Sequence, residues 1–209
     1  MKILPFIYLG YMFVSLYFLS LFLIVYFKNK KTLFFSPIAK KNYTISLIIP
    51  AYNEGKTIAK TIKSIFEIDY PFIKEVIVVN DGSTDNTKEI VSKLLKKYSQ
   101  LKLINNRKNL GNAAKSQNVG LKYATGELIA VLDADSYPSK DSIKKMIGWF
   151  NDPKVGVVTC PSEADNQNKF IEKLQAIEYY VIALTRKLLD YLDAIYVAPG
   201  TLAIYRTKG

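Results

Sequence analysis

The chain has 209 residues, with 29 Lys and Arg against 18 Asp and Glu for a formal net charge of +11, one cysteine and no histidine. Without histidine there is no Ser-His-Asp or Cys-His catalytic group and no His/Cys zinc site. A lone Cys160 forms no intrachain disulfide, so nothing asks for an oxidising compartment.

The chain opens on a long apolar run. Ile3 to Phe27 carries no charge, and a helix of that length exceeds the roughly 30 Å hydrocarbon core of a bilayer. A cleaved signal peptide has a shorter apolar region and ends in small residues, whereas this run is rich in Phe and Tyr and ends at Lys28. A buried core helix is seldom so uniformly apolar. The pattern predicts a transmembrane helix within residues 1–27. Lys2 alone precedes it, while Lys28, Lys30, Lys31, Lys40 and Lys41 follow before any acid appears. The positive-inside rule therefore predicts a single-pass protein of the cell membrane with the remainder cytoplasmic. These five lysines also suit anionic headgroups. With Lys2 they account for six of the net charges, leaving +5 over residues 42–209 with no arginine-rich run. That distribution argues against nucleic-acid binding.

Residues 28–44 read as a basic juxtamembrane connector, and 45–209 as one globular domain. Its strands are predicted from short β-branched runs. Ile45–Ile49 is stopped by Pro50; Glu75–Asn80, a weaker Leu101–Asn105, Leu128–Leu132 and Val155–Thr159 follow. Runs apolar on both faces suit buried parallel strands. Helix patterns fill the gaps, at 57–66, 113–124 and 141–150, with a stripe of Ile90, Val91, Leu94, Leu95 and Tyr98 between the second and third strands. A longer helix is predicted over about 168–189, then a loop and a last strand toward Arg206. The alternation predicts an α/β domain with a mostly parallel sheet.

Open α/β sheets bind ligands at the carboxyl ends of their strands. Three polar clusters fall there: Pro50-Ala-Tyr-Asn-Glu54, Asn80-Asp-Gly-Ser-Thr-Asp85 and Asp133-Ala-Asp135. Each alone also makes a good turn or helix cap, but their common position argues for a site. Asp133 and Asp135, one residue apart, point the same way in extended chain. Paired carboxylates suit a hard cation such as Mg²⁺ or Mn²⁺, shared with phosphate oxygens. There is neither GxxxxGK[ST] nor GxGxxG, so a P-loop and a dinucleotide-binding oxidoreductase are both disfavoured.

The succession Ile48–Glu54, Val78–Asp85, Asn109-Leu-Gly111, Asn118-Val-Gly120, Ala124-Thr-Gly-Glu127 and Val131–Asp135 resembles a family 2 glycosyltransferase of the GT-A fold. The stretch from Gln175 through Val197–Arg206 is similar to the membrane-bound processive branch, which makes poly-N-acetylglucosamine, cellulose and hyaluronan. The resemblance implies transfer, with inversion, from a UDP-sugar to a polysaccharide or lipid-linked acceptor. It implies that Pro50, Ala51, Tyr52, Glu54, Asp81, Asp133, Ala134 and Asp135 line the donor site. Tyr52 would lie against uracil and Glu54 would touch the nucleoside. Asp81 would bond uracil or ribose. Asp133 would reach the ribose or sugar-phosphate, and Asp135, with Asp133, would hold the metal. The loop at 199–201 would face the acceptor.

Three departures qualify the match. Gly111-Asn112 replaces the family's Gly-Lys, with Lys115 three residues later, and Asn80 replaces its first Asp. The family's acidic motif for the general base, and the Gln-x-x-Arg-Trp motif after it, are expected beyond Gly209. Glu163, Asp190 and Asp193 carry no spacing that marks them for that role. Two alternatives follow: a catalytically silent nucleotide-sugar-binding subunit beside a second chain, or a basic membrane-surface protein without enzymatic role.

Overall fold

The computed structural model describes residues 3–195, 197–198 and 201–207. They fall into two compact units. One comprises Met1–Phe35 and Pro161–Val197, the other Ser36–Cys160 and Ala198–Gly209.

In the first unit, α1 (Leu4–Asn29) begins with Pro5 in its first turn, where a missing N–H costs nothing, and runs 26 residues. It is apolar on all sides and its side chains are almost all exposed; only Val25 is buried. Among the described residues it is the one helix long and apolar enough to cross a membrane. The second helix of this unit, α6 (Phe170–Asp190), starts at a capping box in which Glu172 accepts from the Lys169 amide at 2.8 Å.

The second unit is built on six strands in the order β3-β2-β1-β4-β6-β5. β1 (Ile45–Ala51), β2 (Ile73–Asn80), β3 (Leu101–Asn105) and β4 (Leu128–Leu132) are mutually parallel. β6 (Leu202–Arg206) runs antiparallel to both β4 and β5 (Val157–Thr159). Alternate side chains of the strands serve two cores. Ile45, Leu47 and Ile49 of β1 join Val76, Val78, Leu128 and Ala130 against α2 (Ile58–Phe66), α3 (Thr87–Leu94) and α5 (Ser142–Ile147). Ile48, Ile77, Val79, Ile129 and Val131 face the other way, toward Val119 of α4 (Ala113–Leu121). On that side helix and sheet approach closely: a β-carbon at Gly120 would lie 2.6 Å from the Ile48 side chain.

Two sequence expectations need correction. Pro50 does not stop β1, which continues to Ala51; β4 pairs only as far as Ile48, so beyond that point β1 is bonded on one side and tolerates a residue without N–H. The fifth strand is short, half-exposed and antiparallel rather than buried and parallel, because β6 inserts between it and β4. The stretch expected as a basic connector, residues 28–44, divides between the two units. From Ser36 it belongs to the second unit: Asn151 bonds the Ile38 carbonyl and the Lys40 amide, each at 2.8 Å, and Lys41 is ion-paired with Glu127. Lys41 is thus engaged by protein rather than reserved for lipid.

At the amino ends of the strands a buried carboxylate ties the sheet. Glu75 of β2 is 2% exposed and accepts from Ser46 Oγ (2.6 Å), the Thr125 amide (2.7 Å) and Thr125 Oγ1 (2.8 Å), while Lys102 of β3 is ion-paired with it. Burial by itself would raise its pKa; the Lys102 ammonium and the Ser46 and Thr125 donors outweigh that and hold it at about 2.

Candidate active site

The opposite, carboxyl ends of β1, β2 and β4 bring the three polar clusters together. Ala51 pairs with Asn80 at the tips of β1 and β2, and the Asp81 amide donates to the Ala51 carbonyl at 2.8 Å. β4 lies on the other side of β1 and ends one residue before Asp133.

At the end of β1, Pro50 is half-buried and Ala51 buried; Tyr52, just past it, is 47% exposed. Asn53 then takes a left-handed conformation (φ +57°), which Asn tolerates better than most residues. Its side-chain oxygen accepts from the Thr84 amide (2.8 Å) and its own amide donates to Ser83 Oγ (3.0 Å), so the first two clusters are sewn to each other. The Glu54 amide donates to Thr87 Oγ1 at 2.8 Å, and a Glu54 carboxylate oxygen accepts from Thr57 Oγ1 at 2.6 Å. Glu54 therefore braces the start of α2.

Asp81 is 4% exposed, and its carboxylate is already engaged. It accepts from Asn106 Nδ2 at 2.7 Å and from the Leu110 amide at 3.1 and 3.2 Å, which holds the loop between β3 and α4. Gly82 adopts φ +68°, and a β-carbon there would sit 2.6 Å from the Asn109 amide nitrogen. Only glycine accommodates both that conformation and that approach. Asn80, in place of the family's first acid, bridges Asn105 Oδ1 (2.8 Å) and accepts from the Ser83 amide (3.2 Å).

Beyond β4 the chain turns rather than continuing extended: the Ser136 amide donates to the Asp133 carbonyl at 3.1 Å. Asp133 is half-buried, Ala134 buried and Asp135 exposed, in a turn rather than the extended chain from which their common direction was argued. The two carboxylates still sense each other. The pKa of Asp133 is raised, first by burial and then by the charge of Asp135. Thr61 Oγ1 donates to the Ala134 carbonyl at 2.7 Å, which locks this turn to α2, and the Lys60 ammonium lies 3.7 Å from the Tyr137 ring centroid.

Among the described residues neither Asp133 nor Asp135 is in an ion pair, and two neighbouring acids of this kind are relieved by a cation. Among the described residues no three His, Cys, Asp or Glu side chains gather around one point. The donor set fits a hard divalent ion that takes two carboxylates from protein and completes its oxygen shell from substrate and water.

Asn106 and Lys60, which border these clusters, were not singled out from the sequence. The end of β3, Asn105-Asn106, was a fourth polar strand terminus, and its position was the signal available. Part of the 199–201 loop expected near the acceptor lies outside the described residues. Of the late acids, Asp190 is bonded to Lys187 at 3.0 Å on α6 and Asp193 sits in a turn at φ +52°.

The sheet is mostly parallel with acidic and amide-rich turns on its carboxyl edge, and its structural neighbours are glycosyltransferases of the GT-A class. The family model "Glycosyl transferase family 2" matches residues 46–209, and the chain belongs to that family. That membership disfavours the reading as a basic membrane-surface protein outside the family. The chain is 34% identical to the poly-beta-1,6-N-acetyl-D-glucosamine synthase of Staphylococcus epidermidis over 164 residues, 78% of this chain and 39% of that protein. It is 31% identical, with the same coverage, to the synthase of that name from Staphylococcus aureus strain COL. It spans about two fifths of the length of these curated relatives. Among solved structures it resembles the mannosyltransferase PcManGT from Pyrobaculum calidifontis in complex with GDP-Man and Mn²⁺ (TM-score 0.71, 26% identity, 93% of this chain and 55% of that one). It also resembles S. aureus TarS 1-349 in complex with UDP-GlcNAc (TM-score 0.53, 32% identity, 60% and 36%).

Proposed function

We propose that the chain carries the donor half of a membrane-anchored, inverting glycosyltransferase that takes a UDP-sugar and extends a polysaccharide or lipid-linked acceptor on the cytoplasmic face. The observation that carries this reading is the Asp133–Asp135 acid pair set on the same sheet edge as the Tyr52 and Asp81 clusters. UDP-GlcNAc is the favoured donor, because the poly-N-acetylglucosamine synthases and the TarS complex both point to that sugar.

Each residue has a task that its geometry supports. Tyr52 offers an exposed ring on which uracil stacks. Asp81 orients the 106–110 loop and keeps lone-pair capacity for a donor from uracil or ribose. Glu54, braced by Thr57, fixes the entry to α2 beside the nucleoside. Asp133 and Asp135 would hold Mg²⁺ or Mn²⁺, and a bound cation would supply charge neutralisation for the departing UDP. The acceptor hydroxyl attacks the anomeric carbon opposite that leaving group. The base that takes its proton is assigned to no residue of this chain.

A competition series tests the reading. A fluorescent UDP analogue bound in Mn²⁺ should be displaced by UDP-GlcNAc at lower concentration than by UDP-glucose, and not by GDP-mannose. Displacement by GDP-mannose as readily as by UDP-GlcNAc would refute uracil recognition.

A further inference from the structure

Asn106, the first residue beyond β3, is bonded twice to the neighbouring strand end. Its main-chain amide donates to the Asn80 carbonyl at 2.9 Å, which carries the β2–β3 ladder one step past the Asn80–Asn105 pair. Its side-chain amide donates to Asp81 Oδ1 at 2.7 Å. The first bond sets where the side chain starts, and the second sets where the carboxylate comes to rest. Asn105 has a different task at the same strand end, accepting from Asn80 Nδ2 at 2.8 Å.

The Asp81 carboxylate is thus clamped from two sides. Asn106 holds one oxygen, and the Leu110 amide straddles both, at 3.2 and 3.1 Å. Both clamps are neutral N–H donors, and among the described residues Asp81 is in no ion pair. An amide orients a carboxylate without cancelling its charge, which a lysine or arginine in the same place would do. What remains is a nearly buried group with spare lone pairs and no proton to give. A held acceptor of this kind discriminates between ligands, because it cannot turn to suit a wrong one. Uracil presents an N–H at ring position N3, and cytosine presents a lone pair there. The first is bonded by a fixed carboxylate and the second is repelled.

We propose that Asn106 is a positioning residue for base selection, holding Asp81 in the orientation that accepts from the uracil N3–H and so making the site prefer uridine over cytidine diphosphates. The proposal rests on the reading of this sheet edge as a UDP-sugar site, and adds the residue that sets its preference among pyrimidines. Asn106 acts through Asp81 and touches no substrate atom.

The test compares UDP and CDP binding by calorimetry, in Mn²⁺, to the full chain in detergent and to three variants. Asn106→Ala removes the clamp. Asn106→Asp keeps the side-chain shape but exchanges the donor for an acceptor, and carries the comparison alone if the alanine variant does not fold. Asn105→Ala removes a hydrogen bond from the same strand end while leaving the Asn106–Asp81 bond in place. Trp149 emission checks that each chain is folded. The native chain should bind UDP at least about a hundredfold more tightly than CDP. Asn106→Ala should lower UDP affinity about tenfold with CDP affinity unchanged, so that the preference falls by the same factor. Asn106→Asp should lower the preference further, and Asn105→Ala should keep the native ratio. Equal weakening of UDP and CDP in the Asn106 variants would show a structural role alone and overturn the proposal. A ratio that falls as far in Asn105→Ala would overturn it too. A native chain that binds UDP and CDP alike also overturns it, while leaving a nucleotide-sugar site standing. No UDP binding by the folded native chain removes that site, and the proposal with it.

Discussion

Glu75→Gln separates the scaffold from the site. The native carboxylate is 2% exposed, receives three hydrogen bonds from Ser46 and Thr125, and is paired with Lys102. Its pKa stands at about 2 in the fold against 4.5 for a free glutamate. At about 1.4 kcal/mol per unit, that depression corresponds to roughly 3 kcal/mol of folding free energy from the ionised form. Because the folded value is the lower one, the contribution is complete above pH 5 and is lost as pH falls from about 5 toward 2. Glutamine keeps the shape but loses the charge and presents an NH₂ to a site furnished with donors. The variant should therefore be about 2–3 kcal/mol less stable at pH 7, and the gap to the native chain should close on acidification. Urea unfolding of the full chain in detergent, followed by Trp149, the only tryptophan, reports the second unit directly. Comparing the two chains at each pH cancels the exposed carboxylates. A gap that is the same at pH 3 and pH 7 would refute the ionised-Glu75 argument. UDP affinity should not change while the variant is folded, since Glu75 lies at the far end of the strands.

Three further outcomes are expected. Asp135→Ala should weaken Mn²⁺-dependent UDP binding at least tenfold, about 1.4 kcal/mol, by calorimetry; unchanged affinity would remove the metal assignment. Gly82→Ala forces an alanine into φ +68° and against the backbone of the 108–109 peptide, so thermal unfolding should show a loss of about 1–3 kcal/mol with weaker UDP binding. Asn53→Ala loses both the tolerated left-handed conformation and the bond to the Thr84 amide, about 1–2 kcal/mol. Asn53→Gly restores the conformation and should recover about half; equal losses in both variants would mean that the hydrogen bond alone matters.

The sheet was legible because its strands are β-branched runs apolar on both faces, and each polar cluster sits where such a run stops. Periodicity does not reveal partners. Val155–Thr159 looks like its neighbours in sequence, yet it becomes a short edge strand because β6, arriving from far along the chain, pairs between it and β4. Pro50 reads as a terminator only if the strand is bonded on both sides, and the limited reach of β4 removes that condition. The candidate site residues were singled out through their types and their places at strand ends. Their engagement was not: that Asp81 already holds Asn106 and Leu110, and that the Asp133–Asp135 segment turns, are tertiary facts with no local signal. Lys41 illustrates the same limit, since a lysine flanking an apolar span reads as a lipid contact until Glu127, 86 residues on, takes it.

The central claim is a metal-dependent UDP-sugar site on the carboxyl edge of this sheet. Calorimetric titration of UDP-GlcNAc into the full chain in detergent, once with Mn²⁺ and once with EDTA, tests it most directly. Saturable binding in Mn²⁺ that disappears in EDTA is the predicted result. Equal binding in both, or none in Mn²⁺ from a chain whose Trp149 emission reports it folded, would contradict the account.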